Sequence, residues 1–106
     1  MKIIFDENVP WPLRLFLPDH EVTSVQREGH GGKGNGELLE CLDGQFDVLV
    51  LCDKNLRYQQ NLAGRVIAIV ELPTNRWPLL KELEGEIRQA VDSSAPGAYS
   101  SVESSG

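Results

Sequence analysis

The chain has 106 residues, of which 41% are hydrophobic and 25% charged, so it is long enough for one folded core and too short for two. A net charge of −6 disfavours avid, non-specific binding to nucleic acid, which depends on lysine and arginine contacts with phosphate. The two cysteines, Cys41 and Cys52, provide neither a disulfide framework nor the spacing of a zinc site.

The beginning of the chain and its hydropathy predict a cytoplasmic protein. The opening MKIIFDENV lacks the long apolar region of a signal peptide. No stretch approaches the roughly 20 apolar residues that span a bilayer. We therefore expect no association with a membrane.

The first half of the chain alternates apolar runs with loops. Residues 2–5 form a β-rich apolar run that ends at Asp6, as expected for a strand buried on both faces of a parallel sheet. A short apolar helix over residues 11–17 and a second strand over residues 21–25 follow. Residues 29–36 contain five glycines and predict a loop.

The second half repeats this alternation. A helix begins at residue 35 or 36, and the apolar run DVLVLC over residues 47–52 gives the strongest strand signal in the chain. Residues 54–62 predict a short polar helix or a turn, and residues 65–70 predict a fourth strand. Apolar residues at helical spacing over residues 77–91 predict a final helix.

This order of elements predicts an α/β domain of three layers, with helices on both faces of a sheet. Alternating strands and helices build a mainly parallel sheet, here of four strands in the order 2-1-3-4. We assign this domain to residues 1–91. Residues 92–106 are small and polar and predict a disordered tail.

Two aspartates follow the strands that this order places side by side. Asp6 ends the first strand and Asp53 ends the third, and ligands of open parallel sheets bind at the carboxyl ends of strands. Two like charges on adjacent strands repel each other unless a cation lies between them or one carboxylate takes a proton. Oxygen ligands alone favour Mg²⁺ or Mn²⁺, so the pattern predicts a site for one of these ions. Strand-ending aspartates that only bind turn amides are the alternative.

Further polar residues surround these two aspartates. Glu37, in the first turn of the second helix, is a candidate third ligand, or else a carboxylate that complements the helix dipole. Asn8 lies close to Asp6 in the sequence and is a candidate substrate contact, whereas Glu7 leaves the strand end in another direction. The glycine loop matches no phosphate-binding motif, yet its charged residues are candidates for contact with substrate phosphates. These are Arg27, His30 and Lys33.

The segment after Asp53 is polar, with one aromatic residue. Next to a metal, such a segment suits contact with a nucleic-acid backbone by charge and with a base by stacking. A solvated helix face is the alternative. The candidate substrate-binding residues of this segment are Lys54, Asn55, Arg57 and Tyr58.

Three motifs resemble the small PIN-like proteins, relatives of the VapC-type toxin ribonucleases. They are IIFDENVP, GNGELLE and VLVLCDKNLR, and the resemblance covers roughly residues 2 to 72. It implies a Rossmann-like fold and an Mg²⁺- or Mn²⁺-dependent ribonuclease, with Asp6, Glu37 and Asp53 as its acids and an antitoxin protein as partner. Asn55 stands where related small proteins often have another aspartate.

Two other functions remain open from the sequence. A receiver-like signalling domain phosphorylated on Asp53 fits the acidic residues, although Thr74 lies late for its hydroxyl and no fifth strand is predicted. A catalytically inactive PIN-like binding module is the other. A homodimer is also left open, because the sequence does not show whether Trp11 or Trp77 is exposed.

Overall fold

A computed structural model describes residues 1–52 and 64–103 of the chain. The elements of these residues are strand β1 (Lys2–Phe5), a 3₁₀ helix (Trp11–Phe16), β2 (Glu21–Ser24), α1 (Asn35–Leu42), β3 (Val48–Leu51), β4 (Ala68–Glu71), α2 (Trp77–Lys81), α3 (Glu84–Asp92) and β5 (Tyr99–Ser101). None of the described helices is long and apolar enough to cross a membrane.

The strands form one parallel sheet in the order β2-β1-β3-β4-β5. β1 and β3 pair directly, with Phe5 beside Val50, and Val50 in turn lies beside Val70 of β4. The predicted α/β class, the parallel sheet and the order of the first four strands are confirmed, and the architecture is compatible with a Rossmann-like fold. The predicted count of four strands is wrong, because β5 adds a fifth.

β5 lies in the segment for which the sequence predicts a disordered tail. The edge of β4 pairs with this segment: Ile69 N–H donates to the Ala98 carbonyl, and Val102 N–H donates to the Glu71 carbonyl. Val102 is 5% exposed and belongs to the core. The prediction of disorder fails here because main-chain pairing and burial of one valine offset the ordering entropy of a polar segment. The folded domain therefore extends beyond residue 91.

The sheet separates two apolar cores, because alternate strand residues point to opposite faces. The face covered by α1 buries Ile4, Val25, Leu38, Leu39, Leu42, Leu49, Leu51, Ile67 and Ile69. The opposite face is covered by the 3₁₀ helix, α2 and α3, and buries residues such as Phe5, Leu13, Val50, Leu80, Ile87 and Val91. Layers on both sides of the sheet leave its strand ends as the place for a site.

Two predicted elements have different bounds in the structure. The fourth strand begins at Ala68 rather than at residue 65, because the N–H groups of Val66 and Ile67 donate to the Asp43 carboxylate instead of to a neighbouring strand. The final helix is divided into α2 and α3. Leu83, between them, is buried and has a backbone (φ −106°, ψ 17°) that departs from helix geometry.

Candidate metal centre at the carboxyl edge of the sheet

The strand ends next to Asp6 form the candidate site, called the carboxyl edge below. The 3₁₀ helix after β1 packs on one face and α1 after β2 packs on the other. Successive connections therefore leave for opposite faces, and β1 and β3 meet where ligands bind in open α/β sheets.

Asp6 lies at the end of the central strand pair. Its N–H donates to the Val50 carbonyl at 2.9 Å, so its main chain still belongs to the ladder with β3. Its carbonyl accepts from Val9 N–H at 3.1 Å, which starts the turn that leaves the sheet. The residue is half-buried. Ladder and turn together fix the main chain from which the carboxylate extends.

Cys52, the residue after β3, lies within reach of the charge of Asp6. Burial raises the pKa of its thiol from 9.0 to about 12, and the negative charge of Asp6 contributes to the rise. Its Sγ also lies 3.8 Å from the Asn8 carbonyl oxygen, as donor to it. The structure thus brings Asp6 and Asn8 to the carboxyl end of β3. Asn8 takes part through its main chain, whereas the sequence proposes it as a substrate contact.

The other predicted ligand of the pair lies outside the described residues. Asp53 follows Cys52 in the sequence, and the candidate substrate-binding residues Lys54, Asn55, Arg57 and Tyr58 follow in turn, also outside the described part of the chain. A cation shared by Asp6 and Asp53 therefore stays a prediction.

Glu37 lies in the first turn of α1, as predicted, with its side chain 65% exposed. Its Oε1 lies 3.9 Å from Nζ of Lys33, four residues earlier. Within residues 1–52 and 64–103, no three histidine, cysteine, aspartate or glutamate side chains converge as metal ligands. The exposed position suits a carboxylate that complements the helix dipole, and the ligand role of Glu37 stays a prediction.

The glycine loop is fixed to the carboxyl edge by Glu7. Gly32 N–H donates to Glu7 Oε1 at 2.8 Å, and a side chain at Gly31 would lie 3.4 Å from the same oxygen. Gln26 Nε2 donates to the Glu7 carbonyl at 3.3 Å, and His30 N–H donates to the Val25 carbonyl at 2.9 Å. Glu7 holds the loop beside Asp6, a role that its position in the sequence does not indicate.

An aromatic and basic cluster, unforeseen from the sequence, lies beside β1. The Trp11 ring meets Phe5 edge-on, with centroids 6.1 Å apart. Cζ of Arg14 lies 4.9 Å from the Trp11 ring centroid, and Cζ of Arg27 lies 4.6 Å from it. We call these three residues, Trp11, Arg14 and Arg27, the Arg–Trp cluster. Only Arg27 carried a sequence signal, through its position near the glycine loop.

A further carboxylate lies at the end of β4. Glu71 is half-buried, and its Oε2 accepts from Ser101 Oγ at 3.0 Å. Its Oε1 is buried and has no hydrogen-bond partner among the described residues. By the register of the sheet, Glu71 lies in the same row as Asp6, with Leu51 of β3 between them. The sequence signal was available, because Glu71 directly follows the predicted fourth strand.

The carboxyl edge is the feature of this fold that suits ligand binding. No protein-family model, curated protein or solved structure matches this chain. Among the described residues, Asp6 is the carboxylate at the central strand pair, and its charge acts on the end of β3. An anionic oxygen there fits a hard divalent cation such as Mg²⁺ or Mn²⁺.

Proposed function

We propose that the protein is a PIN-like, metal-dependent ribonuclease and the toxin component of a toxin–antitoxin pair. The observation that carries the proposal is the position of Asp6, at the carboxyl end of the strand that pairs with β3. Asp53 is two residues beyond the end of β3 in the sequence. The three sequence motifs that resemble the PIN-like proteins supply the reaction.

In this proposal Asp6, Asp53 and Glu37 hold Mg²⁺ or Mn²⁺. The ion supplies an activated water and stabilises negative charge on the scissile phosphate. The main-chain ladder keeps the backbone of Asp6 in place and so fixes the point from which its carboxylate extends toward the ion. Glu7 holds the glycine loop beside Asp6, along one side of this site.

The test is cleavage of mixed single-stranded RNA with Mg²⁺ or Mn²⁺, comparing the parent with Asp6→Asn and Asp53→Asn. We expect cleavage that chelation abolishes, and a loss of about 100-fold or more in each variant, because metal stabilisation is worth several kcal/mol. Asp19→Asn is the matched control, since Asp19 is an exposed aspartate before β2, away from the carboxyl edge. Equal cleavage by parent and variants would exclude these acids from catalysis.

The toxin role has a separate test. Induced expression of the parent in bacteria should stop growth, and Asp6→Asn should relieve the arrest. Arrest by both proteins would mean that toxicity does not depend on this site. An antitoxin should restore growth without changing the amount of the protein.

A receiver-like signalling domain is the second candidate, and the fifth strand favours it. The order β2-β1-β3-β4-β5 is the order of receiver domains. The resemblance is incomplete, because receivers place a lysine after the fifth strand, whereas Ser101 is followed by VESSG. Uptake of phosphate from acetyl phosphate, lost in Asp53→Asn, would support this candidate. Absence of uptake together with metal-dependent RNA cleavage would reject it.

A further inference from the structure

We propose that Arg14 and Arg27, held against Trp11, bind a backbone phosphate of single-stranded RNA beside the metal centre. The choice of RNA as ligand rests on the proposed ribonuclease function. The position of the Arg–Trp cluster in the fold, its charge and its hydrogen-bond donors support the phosphate site itself.

The cluster lies at the carboxyl edge, next to Asp6. Trp11 contacts Phe5, the residue immediately before Asp6, and Phe5 pairs with Ser24 at the end of β2. Arg27 N–H donates to Ser24 Oγ at 3.2 Å, so the loop that carries Arg27 starts at the same edge. A strand of RNA that reaches Asp6 from the β2 side would therefore pass the two guanidinium groups.

The charge of the cluster is not neutralised within the described structure. Among the described residues, neither Arg14 nor Arg27 forms an ion pair with a carboxylate, whereas Arg65 pairs with Glu40 and Arg88 pairs with Glu84. Both guanidinium groups lie against one indole, so their Cζ atoms are about 9.5 Å apart or less. Two positive charges within this distance repel each other, and a phosphate bound by both would offset the repulsion.

The cluster also has hydrogen-bond donors to offer. A guanidinium group carries five N–H donors in one plane, and stacking on a ring leaves the donors at its edge available. Arg14 uses one nitrogen, Nη1, to donate to the Trp11 carbonyl at 3.1 Å. The Arg27 side chain donates no hydrogen bond to the described residues and is exposed. Phosphate oxygens accept from such donors in a bidentate manner.

Trp11 holds the arginines in place rather than binding a base. The ring is half-buried, contacts Phe5 and already has two guanidinium groups against it. Contacts with phosphate carry no sequence information. We therefore expect the cluster to strengthen binding of any single-stranded RNA to a similar degree, without selecting a sequence.

The test measures binding without cleavage. Fluorescence anisotropy with labelled RNA of about 12 nucleotides, a length within the range of single-strand binding sites, is recorded in EDTA over a series of salt concentrations. Arg14→Gln/Arg27→Gln should bind about tenfold more weakly or worse. It should also show a salt dependence shallower by about 0.7, since the two arginines share one phosphate and each phosphate contact to a single strand contributes about 0.7 to the slope.

Lys81→Gln/Arg88→Gln is the matched control, because it removes the same charge from exposed positions on α2 and α3. It should bind like the parent. Arg27→Gln alone removes only an exposed side chain, so it tests the site if the double variant fails to fold; it should show an intermediate loss. Near-ultraviolet circular dichroism of the tryptophans checks that each variant is folded.

Equal weakening in the two double variants, or no weakening in either, would overturn the proposal. So would a parent that binds no RNA, or one that binds a polyglutamate peptide in place of RNA. If the parent binds RNA through these arginines yet cleaves none with Mn²⁺, the ribonuclease proposal fails and the phosphate site stands. If the parent cleaves RNA and the arginine variant binds RNA as tightly as the parent, the phosphate site fails and the ribonuclease proposal stands.

Discussion

Asp43 connects the end of α1 to the start of β4, and its replacement by alanine should destabilise the fold. Its Oδ1 accepts from Val66 N–H at 2.8 Å and from Ile67 N–H at 2.9 Å. A hydrogen bond to a charged group contributes about 1.5–3 kcal/mol to stability. Because Ile67 is buried and Val66 exposed, the hydrogen bond from Ile67 counts in full and the one from Val66 in small part. We expect a loss of about 2–3 kcal/mol for Asp43→Ala.

Equilibrium unfolding in urea measures this loss. With a slope of about 1–3 kcal/mol per molar urea, the midpoint should fall by about 0.7–3 M. Asp43→Asn keeps an acceptor oxygen and should lose about half as much. Asp19→Ala removes an exposed aspartate and should change stability by no more than about 0.5 kcal/mol. Equal destabilisation by Asp43→Ala and Asp19→Ala would refute the reasoning.

Three further predictions concern the fifth strand and the thiol near Asp6. Val102→Ala should lower the free energy of unfolding in urea by about 1–2 kcal/mol, because it removes two buried methyl groups. Glu103→Ala should change it almost not at all. Equal effects of the two substitutions would mean that this segment does not pack against the core. The unfolded chain ionises Cys52 near pH 9.0 and the folded protein near pH 12, so stability should fall as the pH rises across this interval. Cys52→Ala should lack the part of this fall in stability that the Cys52 thiol causes. Identical profiles of stability against pH for the parent and the variant would contradict this prediction. Asp6→Asn should speed the reaction of Cys52 with iodoacetamide, measured by mass spectrometry, because it removes a charge that raises the thiol pKa; an unchanged rate would place Asp6 too far away.

The central strands could be predicted from the sequence because each strand is short, apolar and bounded by polar residues. Val48–Leu51 is buried throughout, as a continuous apolar run predicts for a strand in the middle of a parallel sheet. β5 could not be found in this way. Tyr99–Ser101 has little apolar content, and its stability comes from the edge of β4 and from Val102. Partners distant in the sequence leave no local pattern.

The candidate site could likewise be predicted from the sequence only in part. Asp6 was identified because it ends an apolar strand, and the same rule points to Glu71 after the fourth strand. The pairing of Arg14 with Arg27 left no such signal. The two arginines are thirteen residues apart, lie in different segments and are brought near each other by Trp11, against whose ring both guanidinium groups lie. The contact of Glu7 with the glycine loop likewise depends on the folded main chain.

Direct binding of Mn²⁺ is the measurement that tests the central claim, that Asp6 and Asp53 hold a divalent metal at the carboxyl edge. Titration followed by electron paramagnetic resonance counts bound Mn²⁺ without requiring a substrate. The parent and Asp19→Asn should bind the ion, and Asp6→Asn and Asp53→Asn should each lose it, because one carboxylate fewer weakens an all-oxygen site. Equal binding by all four proteins, or no binding by the parent, would contradict the claim.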